Sequence, residues 1–488
     1  MTPPVTREEA PKVAEVPTAP PVAPHTGLIL AILCSAQVIL AVDVTIVNVA
    51  NASIERALGF TTANLQWVVT AYLLTFGGFL LLGGRMSDLY GRRRLFIAGV
   101  CGFAVASFVA GFAQNSVELI AARAAQGLCA AVVSPAVLSL LAATFAEGRQ
   151  RQRAYSMWAI AGSVGGLTGF FFGGLIITAL GWRWIFFVNV PIAALTVTGA
   201  LLLLHPVQEG SRSRRLDVPG AVTVTLALAL IVYGLGEAES TSWTSRPTLI
   251  ALCAAPVLLA AFVVIERRSP EPLLPFALLW RRAAVGNLLS VLQQSLGAAT
   301  SFLAPLYMQQ IWGFPANEAG AGTLPLSLGF FFGARLSNRI ARRFGVRLAI
   351  SLGFAFATIG MTWLTFVPVH PSYFTSFLPG LFVRGFGQSI IVVQALGVAT
   401  GGVRREDQGI AAGLYNMSQQ LGGALGLAAI ATVASAAAAG AGGHLLGEAH
   451  GLRVGLGVCA CIAFSGLVIA LTCLNRVPAR GAAASPRS

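Results

Sequence analysis

Long apolar segments separated by short polar ones run through nearly the whole chain, from Gly27 to about Asn475. Most are about 20 residues or longer, which is the length a helix needs to cross a hydrocarbon core of about 30 Å. The pattern predicts an all-α polytopic membrane protein with about fourteen transmembrane helices. Their approximate bounds are 28–50, 65–84, 95–113, 117–145, 155–178, 185–204, 218–236, 248–265, 284–311, 318–340, 346–367, 372–400, 408–438 and 452–474.

The polar segments divide these helices into blocks. Residues 27–207 form a predicted N-terminal six-helix half, 208–282 two inserted helices with their linker segments, and 283–475 a C-terminal six-helix half. Residues 1–26, rich in Pro, Ala and Glu, and residues 476–488 are predicted to be disordered cytoplasmic tails. No apolar run precedes Gly27, so the first helix is expected to act as its own insertion signal.

Composition supports a chain that lies mostly in lipid. Hydrophobic residues make up 56% and charged residues 10%, against about 25% charged in soluble domains. The 54 glycines suit closely packed membrane helices. The seven cysteines fall in apolar segments and are interpreted as packing residues.

The net charge of +14 would suggest nucleic acid in a soluble protein. With a cytoplasmic N-terminus, however, most Lys and Arg residues fall in cytoplasmic loops, as the positive-inside bias requires. The charge is therefore interpreted as an orientation signal that also meets anionic lipid headgroups, and nucleic acid is discarded as a partner. The expected location is the cell inner (plasma) membrane, with both termini cytoplasmic.

Matching motifs suggest that the two halves are repeats. Arg123, Gln126 and Gly127 in the fourth helix have counterparts in the twelfth, between Arg384 and Gln388. Two pseudo-symmetric halves are typical of transporters that bind substrate near the midplane and alternate access by rocking.

Three ionisable residues, Asp43, Arg123 and Arg384, lie well inside predicted spans, where a charge costs about 2.5–3.5 kcal/mol on insertion scales. Asp43 and Arg123 lie at similar predicted depths, so they could meet. We hypothesise that Asp43 binds and releases a proton while Arg123 holds it ionised until substrate or movement weakens the pair. The alternatives are a fixed structural ion pair, or Arg123 bonding carbonyl groups; for Arg384, backbone bonding or the lining of a wet cavity is as plausible as function.

The segment from Gly84 to Arg94 combines Gly84, Asp88, Gly91, Arg92 and Arg93 in a predicted cytoplasmic loop. A solvated face would explain the arginines but not an acid between two glycines, where helix ends can bind it. The segment is interpreted as a conformational latch.

Small and polar residues suggest two further surfaces. Gly165, Gly169, Gly173 and Gly174 form a predicted glycine face on the fifth helix, for tight packing or for sliding. A possible substrate cavity, or alternatively bonds between neighbouring helices, is assigned to Gln66, Tyr72, Gln126, Gln293, Gln294, Tyr307, Asn416 and Gln420.

The sequence favours neither an enzyme nor a metalloprotein. The five histidines lie in tails or loops without metal-ligand spacing, and no nucleophile motif or phosphate loop is found. We therefore expect no catalytic residue, cofactor or metal, and energy from an ion gradient.

The motifs resemble those of the major facilitator superfamily, and in particular its fourteen-helix drug:proton antiporter branch, over Gly27 to about Asn475. The segment from Gly84 resembles the signature between helices two and three, and Leu119–Gly127 resembles the helix-four motif linked to proton transfer. Asp43–Ala50 resembles the helix-one motif of the branch, and WVVTAY from Trp67 and WRWIFFVNVP from Trp182 also match.

Two positions depart from the family pattern. Phe170 stands where the helix-five motif usually has Pro, and Ala52 stands where the helix-one motif usually ends in Pro. The bend expected in helix five is thus in question, and Phe170–Phe172 either face lipid or widen an aromatic surface.

The resemblance implies proton-coupled export of small lipophilic compounds, drugs or secreted metabolites, by a monomeric multidrug-efflux antiporter whose partners are substrate, protons and lipid. A proton-coupled importer on the same fold is the alternative, followed by a non-transporting membrane receptor or membrane enzyme.

Overall fold

The computed structural model describes residues 26–145, 148–204, 217–240, 244–269, 281–401, 408–441 and 444–474, and within these ranges it is helical without strands. The long helices are α1 (Thr26–Leu58), α3 (Trp67–Tyr90), α4 (Arg92–Gly111), α5 (Ser116–Thr144), α6 (Arg149–Leu180), α8 (Asn189–Leu203), α9 (Val218–Ser240), α10 (Arg246–Arg268), α11 (Arg281–Gln310), α13 (Leu324–Phe344), α14 (Val346–Thr365), α15 (Tyr373–Thr400), α16 (Gln408–Gly440) and α17 (His444–Cys473). Short helices α2 (Thr62–Leu65), α7 (Trp184–Phe187) and α12 (Ala316–Gly322) precede α3, α8 and α13.

The fourteen long helices of the described ranges correspond one to one with the predicted segments. Twelve spans, one of them made of α7 and α8 together, are long and apolar enough to cross a bilayer. α11 and α13 are not among the twelve, because polar residues such as Gln293 and Gln294 in α11 and a run of arginines in α13 lower their hydropathy. Of the predicted tails 1–26 and 476–488, only Thr26 is described, as the first residue of α1. The linker residues 205–216 and 270–280 also lie outside the described residues.

Helix packing brings distant segments together around one large apolar core. α1 packs on α6, α3 on α5, and α4 on α5 and α8, while α15 packs on α13 and α14, and α16 on α11 and α17. α3 meets α16, α6 meets α12, and α1 meets α11. Helix α9 lies against both α3 and α16, and Thr225 of α9 fills the space beside Gly78 of α3.

Two glycines with positive φ make the tight turns between α3 and α4 and between α13 and α14. Gly91 has φ +91° and Gly345 has φ +86°, a region that side chains with a Cβ rarely adopt. Two residues after each glycine, an arginine donates to a carbonyl near the end of another helix: Arg93 to Leu201 at the end of α8, and Arg347 to Leu471 at the end of α17.

Candidate functional site

The structure brings Asp43 of α1 and Arg123 of α5 together. Arg123 Nη1 lies 2.5 Å from Asp43 Oδ2, and the two side chains are 0% and 1% exposed. The helices run in opposite directions, so the similar depths expected from the sequence become a direct contact. An ion pair this deeply buried requires further hydrogen bonds to offset desolvation.

Those further bonds converge on the second carboxylate oxygen. Asp43 Oδ1 accepts from Gln126 Nε2 at 3.0 Å and from Asn189 Nδ2 of α8 at 2.9 Å. Gln126 Nε2 also donates to Ser107 Oγ of α4 at 2.7 Å. Among the described residues, every hydrogen bond to the Asp43 side chain comes from an N–H donor, so its two oxygens act only as acceptors.

Arg123 is tied to α3 as well as to Asp43. Its Nε donates to the carbonyl of Val68 at 2.8 Å, and its Nη1 also donates to Gln126 Oε1 at 2.8 Å. Its guanidinium carbon lies 4.6 Å from the centre of the Tyr72 ring, a cation–π distance. Arg123 thus has neutral partners on α3 and α5 in addition to the carboxylate of Asp43.

The predicted glycine face packs on α1, the helix that carries Asp43. A Cβ on Gly169 would lie 2.0 Å from Thr45 Oγ1, and one on Gly165 would lie 3.0 Å from the carbonyl of Val38. A Cβ on Gly173 would lie 2.5 Å from Ile46. Gly174 instead faces α12, where a Cβ added to it would lie 2.5 Å from the carbonyl oxygen of Ala316.

The region of the missing proline is continuous helix, since α6 runs unbroken from Arg149 to Leu180. Phe170 is buried and its carbonyl faces Gly320 of α12, whereas Phe171 and Phe172 are exposed on the helix bundle. The prediction that these phenylalanines face lipid therefore agrees with the exposure of Phe171 and Phe172 but is wrong for Phe170.

The segment expected to form a cytoplasmic loop from Gly84 is instead helical through Tyr90. Gly84 lies inside α3 beside Pro135, and the chain reverses at Gly91 alone. The segment continues as helix because its start packs on α5: a Cβ on Gly83 would lie 2.1 Å from the carbonyl of Ala131, and one on Gly84 would lie 3.7 Å from Pro135. Arg92 donates to the carbonyl of Ser139 at 3.5 Å and Arg93 to that of Leu201 at 2.8 Å, and the side chain of Asp88 is outside the described set.

The residues assigned to a substrate cavity are spread over different environments. Gln66 and Gln293 are buried and their amide groups have no partner among the described residues, and the same holds for the hydroxyl of Tyr72. Tyr307 donates to the carbonyls of Val367 and Pro368, so it fastens a loop. The partly exposed members are Gln294, Asn416 and Gln420, and Gln126 belongs to the Asp43 network.

Sequence reasoning missed two members of that network, Asn189 and Ser107. Asn189 was visible only as a polar residue within an apolar motif, and Ser107 as one serine in an apolar span. Their roles depend on which helices pack against α1 and α5. In the described part of the chain, no group of three or more His, Cys, Asp or Glu side chains could hold a metal ion.

Comparison with known proteins places the chain in a family. Residues 33–427 match the family model described as Major Facilitator Superfamily. The chain belongs to this superfamily. It is therefore a multi-pass membrane transporter, and the Asp43 network lies within the matched region.

Several relatives within the superfamily are named for export or resistance. The puromycin resistance protein pur8 of Streptomyces alboniger is 38% identical over 410 residues, 83% of this chain and 81% of its own. The cephamycin export protein CmcT of Amycolatopsis lactamdurans is 34% identical over 441 residues, 89% and 90% of the two chains. The tetracenomycin C resistance and export protein of Streptomyces glaucescens is 30% identical over 447 residues, 91% and 82% of the two chains.

Solved transporter structures share the fold at low sequence identity. A mutant of the nucleoside transporter NupG aligns with a TM-score of 0.66 at 11% identity and covers 91% of this chain and 99% of its own. An auto-inhibited POT family peptide transporter aligns with a TM-score of 0.68 at 15% identity, covering 91% and 95%. These likenesses concern the fold alone.

Proposed function

We propose that this protein is a secondary active transporter that exports small lipophilic compounds, such as antibiotics or secreted metabolites, in exchange for protons. The observation that carries the proposal is the buried Asp43 carboxylate, held by donors from α5 and α8 inside a transporter fold. A buried intramembrane acid with a paired arginine is a functional hypothesis by default. Relatives named for puromycin resistance and cephamycin export favour export over import.

In the proposed cycle, a proton from outside binds Asp43 and neutralises it. The ion pair with Arg123 is then lost, while Arg123 keeps Val68 and Gln126 as partners. α1 can then shift along the glycine face of α6, because Gly165 and Gly169 present no side chain of their own to α1. Substrate enters from the cytoplasm or inner leaflet, and the movement of α1 is coupled to the rocking of the two halves.

The proposed architecture is fourteen spans, with α11 and α13 added to the twelve apolar ones, in two pseudo-symmetric halves joined by α9 and α10. Matched contacts support the repeat: Gly99 of α4 faces Val133 of α5, as Gly353 of α14 faces Ile391 of α15. The arginine contacts at Leu201 and Leu471 match in the same way. We place the protein in the inner (plasma) membrane as a monomer with both termini cytoplasmic, following the positive-inside bias.

Within this cycle, the segment Gly84, Asp88, Gly91, Arg92 and Arg93 is the proposed cytoplasmic latch. Arg92 and Arg93 bind carbonyls of α5 and α8 from the turn at Gly91. These bonds join the ends of three helices of the first half, so the turn can move with that half as one unit.

The test is uptake of a fluorescent lipophilic cation into energised inverted membrane vesicles, with a panel of compounds as competitors. We expect wild-type uptake to follow the proton gradient, and Asp43→Asn to lose it because the titrating group is gone. Asn287→Ala is a matched control, since Asn287 is a buried polar residue whose hydrogen bond among the described residues stays within its own helix. Equal uptake by wild type and Asp43→Asn would contradict a coupling role for Asp43, and uptake that ignores the proton gradient would contradict proton exchange.

A further inference from the structure

Arg384 of α15 is a buried cation whose charge is not balanced within the described residues. The side chain is 0% exposed, and its one hydrogen bond there runs from Nη1 to Gln388 Oε1 at 2.6 Å. Nε and Nη2 have no partner among those residues. The two free N–H groups and the charge together call for an oxygen ligand, because an unpaired buried charge is costly.

Matched glycine contacts show which position of α5 is equivalent to Arg384 of α15. Gly127 faces the carbonyl of Tyr72, and Gly385 faces that of Leu326. On α5, Gly127 precedes Val133, the residue that Gly99 contacts, by the same number of positions as Gly385 precedes Ile391, the residue that Gly353 contacts, on α15. With the two helices aligned on these contacts, Arg384 occupies the position equivalent to Gln126, not to Arg123. The two arginines look equivalent in sequence, but their positions on the aligned helices differ by one helical turn.

The same kind of comparison shows which residue of α11 stands at the position equivalent to Asp43. Gly165 of α6 faces the carbonyl of Val38 in α1, as Gly422 of α16 faces that of Val291 in α11. With α1 and α11 aligned on these two contacts, Leu296 occupies the position equivalent to Asp43. Leu296 is fully buried and apolar. The second half thus keeps a buried cation but has a leucine where the first half has its carboxylate.

Two partly exposed glutamines lie between Arg384 and the place where α16 meets α3. Gln388 and Gln294 are both partly exposed and lie side by side at Gly297, where a Cβ would be 3.6 Å from Gln388 Nε2 and 3.4 Å from Gln294 Oε1. Gln294 also reaches Gly423 of α16, which faces Leu73 of α3. A ligand group entering at this junction meets Gln294, then Gln388, then the guanidinium.

We propose that Arg384, with Gln388 and Gln294, binds the carboxylate of an acidic export substrate. The planar guanidinium matches a carboxylate through two parallel N–H donors, and Gln388 Nε2 adds a third donor. The bound carboxylate balances the charge of Arg384, which the apolar side chain of Leu296 cannot do. This inference rests on the proposed export function and names its substrate class.

The first experiment measures dye binding to the purified protein in detergent, where no proton gradient is needed. The probes are rhodamines with a free carboxylate and the methyl esters of the same dyes, followed by fluorescence polarisation. We expect wild type to bind the acids about tenfold more tightly than the esters, the discrimination of a charge-assisted pair. Arg384→Gln should remove that preference and change ester affinity less than about twofold, and Arg384→Lys should keep part of it.

Controls separate this site from other causes. Arg335→Gln removes an exposed arginine of the same half that stacks on Phe331, and it should leave the acid preference unchanged. Asp43→Asn should also keep it while losing proton-driven transport, so failure of the vesicle test does not decide the binding test. The proposal would be overturned if wild type bound the acid and the ester of every dye pair equally well. It would also be overturned if chloride displaced the acids, because the site would then bind inorganic anions.

A second measurement does not depend on the choice of dye. In a background with the native cysteines replaced, the Gln388→Cys variant is treated with an anionic and with a cationic thiosulfonate reagent. The anionic reagent should react about tenfold faster, and adding Arg384→Gln should abolish that difference. Equal rates for the two reagents, or a Gln388→Cys variant that reacts with neither, would contradict an accessible anion site.

Discussion

At the scale of single residues, Asp43 is held by three N–H donors on α5 and α8. Removing one member of a buried ion pair usually costs about 3–5 kcal/mol, because the other charge remains buried. Neutralising both members removes that cost. The network therefore predicts opposite behaviour for single and double variants.

Arg123→Gln should lower the melting temperature of the purified protein, since the buried side chain of Asp43 loses its ion-pair partner. The double variant Asp43→Asn with Arg123→Gln should recover most of the loss, although proton-driven transport stays absent. Thermal unfolding in detergent measures the first effect and vesicle uptake the second. A double variant less stable than Arg123→Gln would mean that the pair is not electrostatically coupled.

At the scale of elements, the α1–α6 contact joins the helix of the proton site to the glycine face. The helices approach so closely that a Cβ on Gly169 would lie 2.0 Å from Thr45 Oγ1 and 2.9 Å from the carbonyl of Val42. A methyl group there must push α1 away. Gly166, one turn earlier, has nothing nearer than Thr45 Cγ2 at 3.9 Å.

Gly169→Ala should therefore destabilise the protein by about 1–3 kcal/mol through overpacking and reduce transport, whereas Gly166→Ala should leave both nearly unchanged. Both substitutions add the same methyl group to the same helix, so differences in helix propensity cancel. Thermal unfolding and vesicle uptake give the two readouts. Similar effects of the two variants would show that close packing of α6 on α1 is not what matters.

At the scale of the whole molecule, the two proposed halves meet at the end of the bundle that the proposed orientation places outside. Thr178 Oγ1 of α6 lies 3.4 Å from Asn317 Oδ1 of α12, and Gln310 of α11 donates to Glu55 of α1 at 2.5 Å. Rocking of the halves must separate these contacts. Contacts within one half that do not involve α1, such as Gln394 of α15 with Ser337 of α13 at 2.8 Å, should persist.

A disulfide between Thr178→Cys and Asn317→Cys should therefore stop transport, and reduction should restore it. A disulfide between Gln394→Cys and Ser337→Cys lies within the second proposed half, away from α1, and should leave transport largely intact. Both pairs are tested in a background without native cysteines, with cross-linking followed by gel mobility and transport by vesicle uptake. Transport that survives the first cross-link would contradict opening between α6 and α12.

The long helices, their order and the identity of the central acid and arginine follow from the sequence, because apolar length and a charge within it are local properties. The extent of α3 does not, since Gly84 is compatible with either a turn or a packed helix, and its packing on α5 decides for helix.

Only the tertiary structure decides which polar side chains share a site. Asn189 and Asp43 are 146 residues apart, and no local pattern pairs them. The offset of Arg384 from Arg123 likewise becomes visible only through the glycine contacts of α5 and α15. Hydropathy determines that a segment enters the bilayer, whereas helix rotation and close approach, which depend on distant residues, determine what each buried polar group meets.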